Sequence, residues 1–222
     1  MSLSIREQSE QLQAVSAAQL PADVVEVFSR NSQRLHAGGV PSGVVKAGDT
    51  LESFTLRNAV GKPVRLADLV ATGPAVIVFY RGGWCPYCNL ALRTYQRELL
   101  PQLAAWHATL AAISPQTPDQ SLSTVEKAAL DFEVLSDPGS RLARRIGIAF
   151  EQGEEVLAAQ HKLGLDIAEV NEEGATSLPM PTALIVDSHH TVRFVDVHPD
   201  YTTRTEVADI EAALAGVHTE TD

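Results

Sequence analysis

Six consecutive apolar residues, Ala75-Val76-Ile77-Val78-Phe79-Tyr80, run directly into Arg81-Gly82-Gly83-Trp84 and then Cys85-Pro86-Tyr87-Cys88. A short β-branched run without polar alternation predicts a central strand covered on both faces, since a half-buried strand would alternate. The residues after it predict the start of a helix. Proline is tolerated at the first helical position, where its missing N–H has no intrahelical partner to lose. A buried strand, a tight loop and a helix opening on a cysteine restrict the chain to layered α/β architectures, with the cysteine pair at the end of the central strand.

The flanking segments extend this pattern. Phe54-Thr55-Leu56 alternates as a short strand, and Val60-Gly61-Lys62-Pro63 turns into Val64-Arg65-Leu66. Helical spacing runs from Pro86 to about Trp106, with a kink or break expected at Pro101 because proline cannot supply the helical hydrogen bond. Strands follow at Thr109–Ile113 and Phe132–Leu135, separated by a helix opening at Thr117-Pro118-Asp119. Asp137-Pro138 opens another helix, running to Ile146. Thr182–Val186 and Val192–Val197 read as a hairpin across Asp187-Ser188-His189-His190, and Thr205–Ala215 as a closing helix. The predicted sheet is therefore mixed: a crossover βαβαβ core with antiparallel strands added. Residues 1–42 form an N-terminal helical extension in which Val24, Val27, Phe28 and Leu35 share one face, before Gly38-Gly39. Residues 43–222 form the main domain. The extension reads as an appended packing element, with a dimerisation arm, and hence a homodimer, as the functional alternative. Residues 150–178 read as a weakly patterned helical insertion.

Cys85 and Cys88 are the only cysteines among 222 residues. At a helix start, Cys85 is expected to be an exposed N-cap, with Cys88 one turn further along the same edge. Unpaired backbone N–H groups and the positive helix end stabilise a thiolate there. Lowering a thiol pKa from about 8.5 to about 6.5 raises the thiolate fraction at pH 7 from about 3% to about 75%. Falling nucleophilicity returns roughly eightfold of that gain, so attack improves only about threefold. As a staple the pair is poor: closing so short a loop stabilises by only about 2 kcal/mol. A zinc site would need further ligands, with His189, His190 and His198 the histidines to recruit.

A net charge of −11 argues against nucleic acid or an anionic membrane as the main partner. The start, Met1-Ser2-Leu3-Ser4-Ile5-Arg6, lacks an apolar signal core, and no apolar run is long enough to span a bilayer. The expected location is cytoplasmic, where a CxxC pair is usually redox or metal chemistry.

From Gly48 to Tyr201 the chain resembles the peroxiredoxin-like branch of the alkyl hydroperoxide reductase/thiol-specific antioxidant family, within the thioredoxin superfamily. The resemblance rests on Phe79-Tyr80-Arg81-Gly82-Gly83-Trp84-Cys85-Pro86-Tyr87-Cys88, supported by Ile113-Ser114-Pro115, Val134-Leu135-Ser136-Asp137-Pro138 and Pro181-Thr182-Ala183-Leu184-Ile185-Val186-Asp187. It implies a thioredoxin-like, peroxiredoxin-type mixed sheet flanked by helices. It also implies a thiol-dependent oxidoreductase that reduces hydroperoxides or disulfides and is restored by a dithiol of the thioredoxin or glutathione/glutaredoxin type. No cofactor or metal is implied.

Two family roles conflict. The thioredoxin pattern makes Cys85 the attacker and Cys88 the resolver. The peroxiredoxin pattern Phe-Tyr-Pro-x-x-x-Thr-x-x-Cys puts the attacker at Cys88, with Arg81 in place of its proline and Cys85 in place of its threonine. Those two replacements favour Cys85 as first nucleophile, with Cys88 as the alternative. Supporting residues implied by the resemblance are Trp84 as a shield, Arg81, Thr182, and Pro181 as the superfamily's cis-proline, with the Met180 backbone free to pair with a substrate chain. The family commonly carries an arginine near Pro181 that faces the peroxide; none stands there in this sequence, and Arg193 and Arg204 are both open as substitutes. Tyr87 reads as an exposed contact residue. The rival from another class is a redox-regulated binding or sensor protein without sustained turnover.

Overall fold

A computed structural model describes residues 3–219; expectations for Met1, Ser2 and 220–222 lie outside the described residues. Seven strands form one mixed sheet. At its centre β3 (Ala75–Phe79) runs parallel to β4 (Thr109–Ser114), which runs parallel to β5 (Glu133–Ser136). The hairpin of β8 (Thr182–Val186) and β9 (Val192–Val197) adds antiparallel strands on the other side of β3. The far edge is a second hairpin, β1 (Thr55–Asn58) with β2 (Pro63–Arg65), joined antiparallel to β5. The order across the sheet is thus β2-β1-β5-β4-β3-β8-β9. The short helix α3 (Leu66–Leu69) leads from the first hairpin towards β3, and α5 (Pro118–Ala128) makes the crossover from β4 to β5.

Successive residues of a strand face opposite sides, so the apolar run of β3 serves two cores at once. Ile77 and Phe79 join one buried cluster with Ile113, Leu135 and Leu184. Val76, Val78 and Tyr80 join the other, which also contains Cys85 and Cys88. Helices α4 (Pro86–Thr94) and α9 (Val207–Thr219) cover this second face. The N-terminal extension forms two helices, α1 (Ile5–Gln19) and α2 (Ala22–Gly38). Ile5 of α1 is fully buried in the same cluster as the cysteines. Burial of such a side chain is worth about 1.5–3 kcal/mol, enough to fix the helix end in place.

The helical stretch beyond α4 changes its winding around Pro101, in line with the expected disturbance. It widens to a π turn at Tyr95–Leu99 and tightens to a 3-10 helix at Leu100–Trp106. Residue 101 lacks an N–H and its ring crowds the preceding turn, so the normal ladder cannot continue. The Asp137-Pro138 helix is also broken: a 3-10 turn, with Ser140 left-handed, precedes the short helix α6 (Arg141–Arg145). The 150–178 insertion carries α7 (Glu154–Lys162) and α8 (Ile167–Val170). Its base is closed by a strand pair that the sequence pattern does not announce, β6 (Ala149–Phe150) against β7 (Leu178–Pro179). Among the described residues no helix is long and apolar enough to cross a membrane.

Candidate active site

Cys85 is the N-cap of α4 and Pro86 its first helical residue. The loop before it is pinned: Gly83 N–H donates to Gln116 Oε1 at 2.6 Å, and Asn89 Nδ2 donates to the Gly83 carbonyl at 2.7 Å. Gly82 has φ +151°, and a Cβ there would lie 2.3 Å from Trp84 Nε1. Only glycine lets the loop fold this tightly over the tryptophan.

The expectation of an exposed Cys85 is corrected. Its relative exposure is 1%, and that of Cys88 is 0%. Arg81 stacks on two rings beside the site: its guanidinium carbon lies 4.9 Å from the Trp84 ring centre and 4.3 Å from that of Tyr201. Tyr87 packs edge-on against Tyr201, centroids 6.2 Å apart, and is 8% exposed. It is a buried wall and not the contact surface its position between the cysteines suggested.

Arg204 Nη2 donates to Cys88 Sγ at 2.9 Å, while Nη1 is spent on the Tyr201 and Thr203 carbonyls. Burial works against a thiolate and is the largest single influence on Cys88. It is outweighed by the Cys85 hydrogen bond, the Arg204 charge, the Arg81 backbone N–H and the Arg81 charge, which together hold Cys88 well below the usual thiol range. Cys85 shifts the opposite way: burial first, then the hydrogen bond to Cys88 and the charge on it, push its thiol well up. These opposite directions favour the charge on Cys88, beside Arg204, over Cys85. Both cysteines are free in this structure.

These opposite shifts give a stability signature. An unfolded thiol titrates near about 8.5. The Cys88 contribution is complete above that value and is lost as pH falls through its lower folded pKa. The Cys85 contribution is complete below it and is lost as pH rises through its higher folded pKa. The difference in unfolding free energy between the wild type and a Cys85→Ser/Cys88→Ser double variant should therefore peak near pH ~8.5 and decline on both sides. A difference that rises steadily with pH would remove the assignment of a neutral Cys85.

A further layer of polar residues grips Arg204. His198 Nδ1 lies 2.8 Å from Thr203 Oγ1, and its Nε2 lies 3.0 Å from Asp196 Oδ2 and 3.3 Å from Thr205 Oγ1. One imidazole thus clasps both chain neighbours of Arg204. Its hydrogen bond holds Asp196 below the ordinary carboxylate range, against the effect of half-burial. Tyr95, brought inward by the π turn, donates its hydroxyl to the Thr205 carbonyl at 2.7 Å.

The remaining expected residues divide. Thr182 lies beside Cys88 in the same crevice, its hydroxyl donating to the Met180 carbonyl at 2.9 Å. Pro181 stands level with Tyr80, one place beyond the Phe79–Thr182 register. The bond before it is trans, since the described residues contain no cis peptide, which corrects the cis expectation. The Met180 N–H is not free for a substrate chain, because it already donates to the Ile148 carbonyl at 2.8 Å. Arg193 sits along the β8–β9 hairpin with its Nε on Asp187 at 2.7 Å, leaving Arg204 as the arginine on sulfur. His189 and His190 form the hairpin turn. Among the described residues, no three His, Cys, Asp or Glu side chains are grouped to hold a metal ion. The sequence pattern marks neither His198 nor Asp196 for the clasp on Arg204; their one local signal is that they end the strand next to Pro181.

The family model for the AhpC/TSA family matches residues 47–195, two thirds of the sequence. The chain belongs to the AhpC/TSA family. Membership makes it an enzyme of thiol-dependent peroxide reduction with a thioredoxin-like fold. It is 30% identical over 104 residues to a candidate peroxiredoxin of Mycobacterium tuberculosis strain H37Rv, covering 47% of this chain and 67% of that protein. A candidate peroxiredoxin of Buchnera aphidicola is 28% identical over 122 residues, covering 54% of this chain and 73% of the relative. Among solved structures, the peroxidoxin BcpB of Mycobacterium tuberculosis superposes with a TM-score of 0.60 at 22% identity, covering 79% of this chain and 97% of BcpB. The thiol peroxidase of Chromobacterium violaceum superposes with a TM-score of 0.59 at 18% identity, covering 79% and 89%. At these identities the superpositions speak for the fold.

Proposed function

We propose that the family's peroxide chemistry is carried here by Cys88 as attacking thiolate and Cys85 as resolving thiol. The observation that carries this reading is the 2.9 Å contact from Arg204 Nη2 to Cys88 Sγ, inside a site where Cys85 stays neutral. The Cys88 thiolate attacks the outer peroxide oxygen and takes it with its hydrogen, the O–O bond breaks, and the alkoxide or hydroxide picks up a proton from solvent and leaves as alcohol or water. Cys88 becomes a sulfenic acid. The Cys85 sulfur then attacks Cys88 and expels water, which closes an intramolecular disulfide. A dithiol of the thioredoxin or glutathione/glutaredoxin type returns both cysteines to the reduced state, in keeping with a cytoplasmic setting.

The space beside Cys88 supports a small oxidant. The crevice lined by Tyr80, Tyr95, Thr182, His198 and Arg204 has a volume of about 10 Å³, around the threshold for a single water. Hydrogen peroxide should therefore outrun cumene hydroperoxide by at least about tenfold in kcat/KM, a difference of about 1.4 kcal/mol for forcing the walls apart. Equal constants for both would exclude the crevice as the reacting space.

Sustained peroxide-dependent consumption of dithiothreitol, over many equivalents of protein, tests the enzyme reading. A redox-regulated binding protein would stop after one equivalent.

A further inference from the structure

We infer that the two N-terminal helices are a positioning element for Cys88, holding from outside the loop that presents Arg204. The proposal rests on Cys88 as the attacking thiolate.

The loop from His198 to Glu206 is tied to the extension at both ends. Two residues beyond Arg204, both carboxylate oxygens of Glu206 accept from the start of α1: Ile5 N–H at 2.9 Å and Arg6 N–H at 2.8 Å. These are backbone donors with no intrahelical acceptor, so the carboxylate meets both an unmet hydrogen bond and the positive helix end. Four residues before Arg204, Ser32 Oγ of α2 donates to Asp200 Oδ1 at 2.9 Å. The same oxygen accepts from the Thr202 N–H and hydroxyl, so Ser32 fastens an organised turn and not a loose side chain. The Tyr201 hydroxyl points back to the Phe28 carbonyl at 3.5 Å, and its ring forms one face of the Arg81 stack.

The consequence is mechanical. Arg204 reaches Cys88 Sγ across 116 residues of sequence, and a shift of about 1 Å at such a contact costs much of its strength. His198 holds the loop at Thr203 and Thr205, and α1 and α2 hold it at Glu206 and Asp200. Both parts of this brace lie outside residues 47–195, the span shared with the family. The extension thereby acquires a role in the chemistry beyond packing.

The test uses the full chain carrying Ser32→Ala with Glu206→Gln, and each substitution alone. The thiolate is titrated by its ultraviolet absorbance, and the second-order rate with hydrogen peroxide is measured by stopped flow. The double variant should move the thiolate midpoint towards the ordinary thiol value and react about tenfold more slowly, with Ser32→Thr restoring the Ser32 share. Arg30→Gln, which breaks an exposed ion pair from α2 to Glu155 on α7, should leave both readings unchanged. Wild-type titration and rate in the double variant would overturn the proposal. So would an equal loss in Arg30→Gln, because the effect would then follow from general loosening of the helices. If Cys88→Ser alone keeps the thiolate and the rate, the underlying cysteine assignment fails instead, whatever these variants do.

Discussion

Cys88→Ser is expected to lower the rate of reaction with hydrogen peroxide by on the order of a thousandfold or more, as loss of a covalent nucleophile does. Cys85→Ser should keep the first oxidation within a few-fold of wild type. A serine hydroxyl can still donate to the Cys88 sulfur, so most of the support for the thiolate survives. The product should differ as well. Without Cys85, Cys88 has no resolving partner in the chain, and its sulfenic acid should accumulate one per molecule, where a sulfenate-specific label read by mass spectrometry will find it. Sulfenate formation in Cys88→Ser, together with its absence in Cys85→Ser, would reverse the two roles.

The second large effect concerns Arg204. The substitution Arg204→Met preserves most of the buried volume and removes the donor that faces Sγ at 2.9 Å. A hydrogen bond to a charged group is worth about 1.5–3 kcal/mol, so the reaction at neutral pH should slow by about 10–150-fold. The thiolate midpoint should rise, because burial continues to oppose the charge once the guanidinium is gone. Arg204→Lys should recover only part of the loss. An ammonium group is a point charge and cannot serve the sulfur and the Tyr201 and Thr203 carbonyls through one planar fork. An unchanged thiolate titration in the Arg204→Met variant would show that the arginine only fills space. Global stability should change less than activity, since removing a guanidinium also removes its desolvation cost.

The fold is readable where its causes are local. Burial of β3 on both faces follows from Ala75–Phe79 alone, and the start of α4 follows from proline in its first position. The exposure of the cysteines cannot be read that way. It depends on Tyr201 arriving from beyond β9 to complete the stack on Arg81, a contact between residues far apart in sequence. The same distance hides the choice of nucleophile. Residues 79–88 contain the helix end that favours Cys85, but the donor on which the proposal of Cys88 rests comes from Arg204. The hairpin pairing of β8 and β9 is evident from the pattern, yet nothing in it marks Asp196 and His198 as different from other strand-end polar residues. Pro181 matches a motif whose cis geometry the structure does not adopt.

The wide separation between sulfur and arginine also bears on how the protein comes into being. During synthesis the cysteines leave the ribosome more than a hundred residues ahead of Arg204. Until residues 198–206 are in place, Cys88 lacks the Arg204 guanidinium and keeps only the nearer support of Cys85 and Arg81. Full reactivity therefore arrives with the completion of folding, and an unfolded chain meets peroxide as any ordinary thiol would. A stalled chain ending before residue 198 would carry both cysteines and the strands of the sheet, yet lack the share of reactivity that Arg204 supplies.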